Sequence, residues 1–115
     1  DPTAQPDPYQ ALVDILVQPI PRDEGFRRGS AVWYAYLTRA MVDPQIGAIV
    51  TEASQGTLAE VTRLLRRTGL AAQPARAQAA RLIALSNGLA QHTLLGVVDA
   101  DEAVRLLNEE VERLR

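Results

Sequence analysis

His92 is the only histidine in the sequence, so it is the first candidate for acid–base, nucleophilic or metal chemistry. Nucleophilic catalysis needs a hydroxyl within its reach, but Ser86 lies six residues earlier on the same predicted helix, about 120° around its axis, so the two side chains cannot meet. A metal site needs further ligands, and no second histidine or carboxylate lies three or four residues from His92. We therefore predict no catalytic residue, no metal ion and no cofactor. We interpret His92 as a hydrogen-bonded core or interface residue, with ligand contact as the alternative.

The segment AVWYAYLTRAM, residues 31–41, holds three of the five aromatic residues of the chain. Four large side chains recur on one side at roughly helical spacing, namely Phe26, Trp33, Leu37 and Met41. Tyr36 lies on another side of the same helix. We expect core packing to account for most of this pattern. The alternative is a small-molecule cavity between helices, which aromatic and methionine side chains often line.

Aspartate, proline and glycine mark the elements that position these residues, and no stretch alternates apolar and polar residues for the length of a strand. Predicted helix starts are Asp7-Pro8, Asp23, Asp43-Pro44, Pro74 and a capping box from Asp99 to Glu102. Gly69 is the predicted left-handed cap of the third helix, which Gly47 and Gly56 could bend or interrupt. The sequence thus predicts an all-α domain of five helices over residues 8–115. Residues 1–7 are predicted to be a linker or a truncated end.

The fifth predicted helix has one narrow apolar seam, formed by Val104, Leu107, Val111 and Leu114. The fourth is apolar nearly all round. Its sectors are Leu82, Leu85, Leu89 with His92, then Ile83, Ala90 and Leu94 almost opposite, and Ala84, Gly88 and Leu95 between them. Such a helix must be covered on every side, so we expect a second copy of the chain to cover part of it, with Ala84 and Gly88 allowing close approach. The alternative is that Asn87 and Gly88 break the helix.

Composition limits the class of protein. The chain has 115 residues, of which 47% are hydrophobic and 23% charged, as in one globular domain. It has no apolar run of about 18 residues for a membrane span, so a cytoplasmic setting without membrane contact is expected. The net charge of -2 gives no attraction to nucleic acid. All twelve basic residues are arginine, a bias typical of bacteria with GC-rich genomes.

Four segments in this order resemble the C-terminal regulatory domain of TetR-family transcriptional repressors. They are WYAYLTRAMVDP, LLRRTGL, LIALSNGLAQHTLLG and DADEAVRLLNEEVERL, and the resemblance extends from about Tyr9 to Leu114. Many relatives carry aspartate before the Gly-Leu pair, where this chain has Asn87. The resemblance implies a regulatory domain without enzymatic activity.

The resemblance also implies a homodimer in which the last two helices, residues 74–97 and 99–115, form a four-helix bundle between subunits. The expected dimer-interface residues are Ala84, Gly88, Gln91, Leu95, Val104, Leu107, Val111 and Leu114. A stand-alone helical dimerisation or adaptor module without a ligand pocket is the alternative function.

By position, the resemblance further implies a pocket for a hydrophobic small-molecule effector within each subunit. Its expected lining is Trp33, Tyr36, Leu37, Met41, Val61, Leu65, Leu85, Leu89 and His92. Operator DNA would be bound only through an N-terminal helix-turn-helix domain, which we expect to lie outside residues 1–115.

Overall fold

Four of the helices in this fold begin directly after an aspartate. The computed structural model describes residues 6–115, which form five α-helices and no strand. The helices are α1 (Pro8–Val17), α2 (Glu24–Ala40), α3 (Pro44–Arg67), α4 (Ala72–Leu94) and α5 (Ala100–Glu112). The predicted all-α class and the number of helices are therefore confirmed for this part of the chain.

Aspartate side chains cap four of these helices. Each accepts a hydrogen bond from a backbone amide in the first turn: Asp7 from Tyr9, Asp23 from Phe26, Asp43 from Gln45 and Ile46, and Asp99 from Asp101. The bond of Asp99 goes to Asp101 rather than to Glu102, so it is not the bond that the predicted capping box requires. Helix α4 starts two residues before Pro74 and has no side-chain cap.

Glycines end two helices but interrupt none. Gly69 after α3 has a φ of 109° and Gly96 after α4 has a φ of 77°, in the left-handed region that favours glycine. Beyond α4, the amides of Gly96 and Val97 donate to the carbonyls of Thr93 and His92, which is a Schellman motif. Helix α3 continues through Gly47 and Gly56 without interruption. Helix α4 continues through Gly88, so the alternative break in α4 is wrong.

The hydrophobic core lies where α1, α4, α5 and the second half of α3 meet. Its largest fully buried side chains are Leu12, Leu16, Ile20, Val61, Leu64, Leu65, Leu82, Leu107 and Val111. No residue of α2, from 24 to 40, is fully buried. Core packing of the aromatic residues in this helix is therefore wrong, since α2 lies beside the core rather than in it.

Pro6 and Asp7, which precede α1, are bonded to arginines at the C-terminal ends of α3 and α5. Arg67 donates from Nη2 to the carbonyl of Pro6 at 2.9 Å, and Arg115 lies 2.8 Å from the carboxylate of Asp7. Residues 1–5 of the predicted linker lie outside the described residues. Among the helices that the structure describes, none has the length and apolar character needed to cross a membrane.

Candidate functional site

A cavity of about 710 Å³ opens between α2, α3 and α4. Its floor is formed by the turn after α1, and its walls by the first half of α2, the middle of α3 and the middle of α4. The lining residues are Gln18, Pro19, Asp23, Gly25, Phe26, Gly29, Ser30, Trp33, Tyr34, Ala53, Ser54, Thr57, Ile83 and Asn87. The cavity thus lies beside the core, against the one helix that contributes no buried residue.

Small residues on two facing helices create this space. Gly25 and Gly29 lie one turn apart on the cavity side of α2, and a Cβ added at Gly29 would have no described atom within 4 Å. On α3 the lining residues are Ala53, Ser54 and Thr57, none of which is large. Because α2 has no side chain at Gly25 and Gly29 and α3 has only small ones opposite, the two helices leave an opening there, beside the aromatic residues of α2.

Aromatic side chains supply much of the apolar surface of the cavity. Phe26 is 39% exposed and Trp33 is 40% exposed, although both are large hydrophobic residues. The guanidinium group of Arg22 lies 4.4 Å from the centre of the Phe26 ring, which is cation–π geometry. Trp33 is the only tryptophan of the chain, so its fluorescence reports on the cavity alone.

One hydrogen bond crosses the cavity wall between α2 and α4. The hydroxyl of Tyr34 donates to the backbone carbonyl of Asn87 at 2.9 Å. A tyrosine hydroxyl is protonated at neutral pH, and burial raises the pKa of Tyr34 further above its usual value, so the group is a donor. The side chains of Asn87, Gln18 and Ser54 line the cavity and make no recorded hydrogen bond to another described residue, so they are polar groups that a ligand could use.

The formal charge of the lining is a single carboxylate. Of the described lining residues Asp23 alone is charged, and its Oδ1 accepts from the amide of Phe26 at 2.9 Å. Ser30 and Thr57 donate their hydroxyls to backbone carbonyls at 3.0 and 3.3 Å. The lining therefore offers no basic side chain to neutralise an anionic ligand.

The structure does not bring the predicted pocket residues together, and only Trp33 lines the cavity. Val61 and Leu65 are fully buried in the core, and Leu85 and Leu89 pack in or against the same core cluster. The other four lie on or towards the surface, with Leu37 half-buried and Tyr36, Met41 and His92 exposed. The sequence feature that marks this cavity is the pair Gly25 and Gly29, one turn apart opposite small residues of α3.

The predicted dimer-interface residues divide into three groups. Ala84, Gln91 and Leu95 are exposed, and Gly88, Val104 and Leu114 are half-buried. Leu107 and Val111 are 0% and 1% exposed, so they pack in the core of one chain and present no surface to a partner. The apolar seam of α5 is used within the chain, whereas the predicted face of α4 is not covered.

Small residues form this uncovered face of α4. Ala77, Ala80 and Ala84 are exposed along it, and Gly88 follows one turn later. A Cβ added at Gly88 would have no described atom within 4 Å. Nothing within the described chain therefore requires a glycine at this position.

The described residues hold no metal-type cluster of side chains. Residues 6–115 contain no group of three histidine, cysteine, aspartate or glutamate residues that could hold a metal ion. The side chain of His92 is exposed, and its backbone carbonyl accepts from Val97 and Val98 in the turn after α4.

Comparison with known proteins identifies a family of transcriptional repressor domains. A family model described as "BetI-type transcriptional repressor, C-terminal" matches residues 8–115, which include all five helices and the whole cavity. No curated protein and no solved structure shows a significant match to the chain.

Proposed function

Because the chain belongs to the family of BetI-type transcriptional repressor C-terminal domains, we propose that it binds a small apolar effector in the cavity between α2, α3 and α4, and that it pairs with a second copy through α4. The domain is a regulatory domain of a transcriptional repressor. In this proposal DNA binding belongs to a helix-turn-helix domain outside residues 8–115.

The cavity is the observation that carries effector binding. Small-molecule sites have volumes of roughly 300–1,000 Å³ and are mostly apolar with a few polar groups, and a cavity of about 710 Å³ fits that class. Its aromatic walls favour an apolar ligand, and the amide of Asn87 offers one hydrogen-bonding contact. Since Asp23 is the one charged lining residue described, an anionic group on the ligand would meet repulsion instead of a counter-charge.

Two fluorescent probes with one skeleton test this proposal. N-phenyl-1-naphthylamine is neutral, and 1-anilinonaphthalene-8-sulfonate adds a sulfonate to the same rings. We expect the neutral probe to bind more tightly, by about ten-fold or more, with energy transfer from Trp33 as the readout.

A pair of glycine variants supplies the control. Gly29→Leu places a side chain in the cavity and should abolish binding of the neutral probe. Gly56→Leu adds the same side chain at a helical glycine of α3 that is exposed and does not line the cavity, so binding should persist. Equal binding to both variants, or tighter binding of the sulfonate, would contradict an apolar effector in this cavity.

Dimerisation through α4 is supported by the uncovered small-residue face. A glycine inside a helix costs about 1 kcal/mol relative to alanine, and no contact within the described chain offsets that cost at Gly88. Leu95 and Val97 are 68% and 69% exposed at the end of this face. Packing against a second α4 would cover these side chains and use the missing Cβ for close approach of the two backbones.

Light scattering of the purified domain tests this part of the proposal. We expect twice the chain mass of 12.5 kDa at micromolar concentration. Gly88→Leu should shift the protein to monomer, whereas Gly56→Leu should leave it dimeric while gaining the same helix propensity. A wild-type monomer would exclude the dimer. A dimer that binds neither probe would instead support a dimerisation module without an effector.

Repression would then be relieved by a population shift. A dimer that binds two half-sites holds its recognition helices about 34 Å apart, and an effector that binds better to another spacing weakens operator binding. To raise the population of one state from 1% to 99%, the effector must bind that state more tightly than the other by roughly 5.5 kcal/mol. Burial of an apolar ligand in a cavity of this size is of the right order to supply it.

A further inference from the structure

Helix α2 is attached to the rest of the molecule differently from the other helices. None of its residues is fully buried, whereas each of the other described helices has at least three that are. On its outer side Val32 is 54% exposed and Tyr36 is 51% exposed. Apolar burial therefore holds this helix only weakly.

Two side-chain hydrogen bonds hold α2 to α4. Arg27 donates from Nη2 to the carbonyl of Leu94 at 2.7 Å, and Tyr34 donates to the carbonyl of Asn87 at 2.9 Å. The donors are seven residues apart on α2 and the acceptors are seven apart on α4. The later donor bonds the earlier acceptor, so the two helices run antiparallel here. The carbonyl of Leu94 belongs to the last turn of α4 and has no partner within the helix, so Arg27 also caps it.

The cavity lies beside the bond between Tyr34 and Asn87, both of which line it. Gly25 and Gly29 face it from α2, so the helix has no Cβ there to contact the opposite wall. Short non-helical segments flank α2, namely residues 18–23 before it and 41–43 after it. Helix α2 also packs on α3, and the hydroxyl of Ser30 donates to the carbonyl of Pro19 at 3.0 Å. Breaking the bonds of Arg27 and Tyr34 therefore frees only the side of α2 that faces α4.

We propose that α2 is the gate of the cavity: it moves away from α4 when the hydrogen bonds of Tyr34 and Arg27 break, and this opening sets how fast a ligand enters and leaves. The gating of a ligand rests on the proposed effector function, whereas the mobility of α2 does not. A group on the ligand that competes for the Tyr34 hydroxyl frees the carbonyl of Asn87, the residue beside Gly88 on α4.

Amide hydrogen exchange in the absence of any ligand tests the movement of α2. An isolated helix of this length is marginal in water, and Gly25 and Gly29 weaken it further, so detachment exposes its amides. We expect Tyr34→Phe to speed exchange over residues 24–40 by about five-fold, the effect of one hydrogen bond. Tyr36→Phe is the matched control, since the hydroxyl of Tyr36 makes no recorded hydrogen bond to a described residue.

Arg27→Ala and Arg28→Ala repeat the comparison at the second bond. Arg28 is exposed on the same helix and makes no recorded hydrogen bond to a described residue. This pair decides the question even if Tyr34→Phe fails to fold, as judged by circular dichroism. The proposal is overturned if amide exchange in α2 is no faster in Tyr34→Phe than in Tyr36→Phe. It is overturned likewise if exchange is no faster in Arg27→Ala than in Arg28→Ala.

Stopped-flow binding of N-phenyl-1-naphthylamine tests the gate itself. Tyr34→Phe should raise the association and dissociation rates of the probe together, by several-fold, with a smaller change in their ratio. Unchanged rates despite faster exchange would show that α2 moves without gating, and would overturn the gate. If the probe binds no form of the protein, the effector proposal and the gate both fail, and faster exchange then shows only that α2 is mobile.

Discussion

Three consecutive residues of α4 face three different surroundings. Ser86 is 2% exposed and donates its hydroxyl to the carbonyl of Leu16 at 2.6 Å, which fixes α4 to α1. Asn87 lines the cavity and accepts from Tyr34. Gly88 lies on the uncovered face, with open space where a side chain would stand. A single turn of one helix therefore contacts the core, the candidate ligand site and the proposed partner surface.

Ser86→Ala isolates the first of these contacts. The substitution removes the only recorded side-chain donor to the carbonyl of Leu16, which lies in the last turn of α1 and is buried with it. An unsatisfied buried carbonyl costs about 1–3 kcal/mol, so we expect the free energy of unfolding to fall by about 1–2 kcal/mol. Urea denaturation followed by circular dichroism measures this change.

Ser54→Ala is the control for that substitution. Ser54 is exposed on α3 and makes no recorded hydrogen bond to a described residue, so its removal should change the free energy of unfolding by less than about 0.5 kcal/mol. Equal effects of the two substitutions would show that the Ser86 hydroxyl does not hold α4 to α1.

The site could be predicted from the sequence only in part. A cavity beside Trp33 was an open alternative, because aromatic residues at helical spacing fit a core and a cavity equally well. Its other lining residues were not predicted, since they depend on which side of α2 carries Gly25 and Gly29 and on what α3 places opposite them. That juxtaposition arises from tertiary packing rather than from any local pattern.

At the scale of the elements, helix boundaries were predictable because they are set locally. Asp7, Asp23, Asp43 and Asp99 each cap the helix that follows, and Gly69 ends α3 in a left-handed conformation. These features act through neighbouring backbone groups, so no long-range packing is needed to recognise them.

The partner of each helix face was not predictable in the same way. The seam of α5 is one apolar stripe, and a stripe of this width fits a core or a subunit interface. The structure packs Leu107 and Val111 against the core of the same chain. Val104 and Leu114 lie half-buried at its edges, where they remain available to a partner.

Leu107→Ala tests this assignment of the seam. Leu107 is 0% exposed, so the substitution leaves a cavity in the core and should lower the free energy of unfolding by about 2–5 kcal/mol. Leu95→Ala, at a position that is 68% exposed, should change it far less in the monomer. Chemical denaturation of monomeric Gly88→Leu protein that carries each substitution measures both. If Leu107→Ala instead weakened dimer formation without lowering the stability of the monomer, the seam would lie at the interface.

At the scale of the whole molecule, charged side chains join the two ends of the described chain. Arg115 lies 2.8 Å from the carboxylate of Asp7, and its guanidinium group stacks 4.4 Å from the centre of the Tyr9 ring. Arg67 holds the carbonyl of Pro6 at the end of α3. The start of α1 is thereby tied to the C-terminal ends of α3 and α5.

Asp7→Asn tests whether the contact with Arg115 stabilises the fold. The hydrogen bond from Arg115, with that from the Tyr9 amide, lowers the pKa of Asp7 from its usual 3.8. A lowered folded-state pKa gives a stabilisation that is complete above the usual value and lost as pH falls through the lower one. Asparagine caps a helix as well as aspartate, so the variant removes only the charge. Between about pH 5 and pH 2.5, urea unfolding should show a smaller loss of stability in Asp7→Asn than in the wild type.

Asp101→Asn is the control, since Asp101 is exposed and has no recorded ion pair among the described residues. Equal pH dependence of the two variants would show that the Asp7 contact does not stabilise the fold.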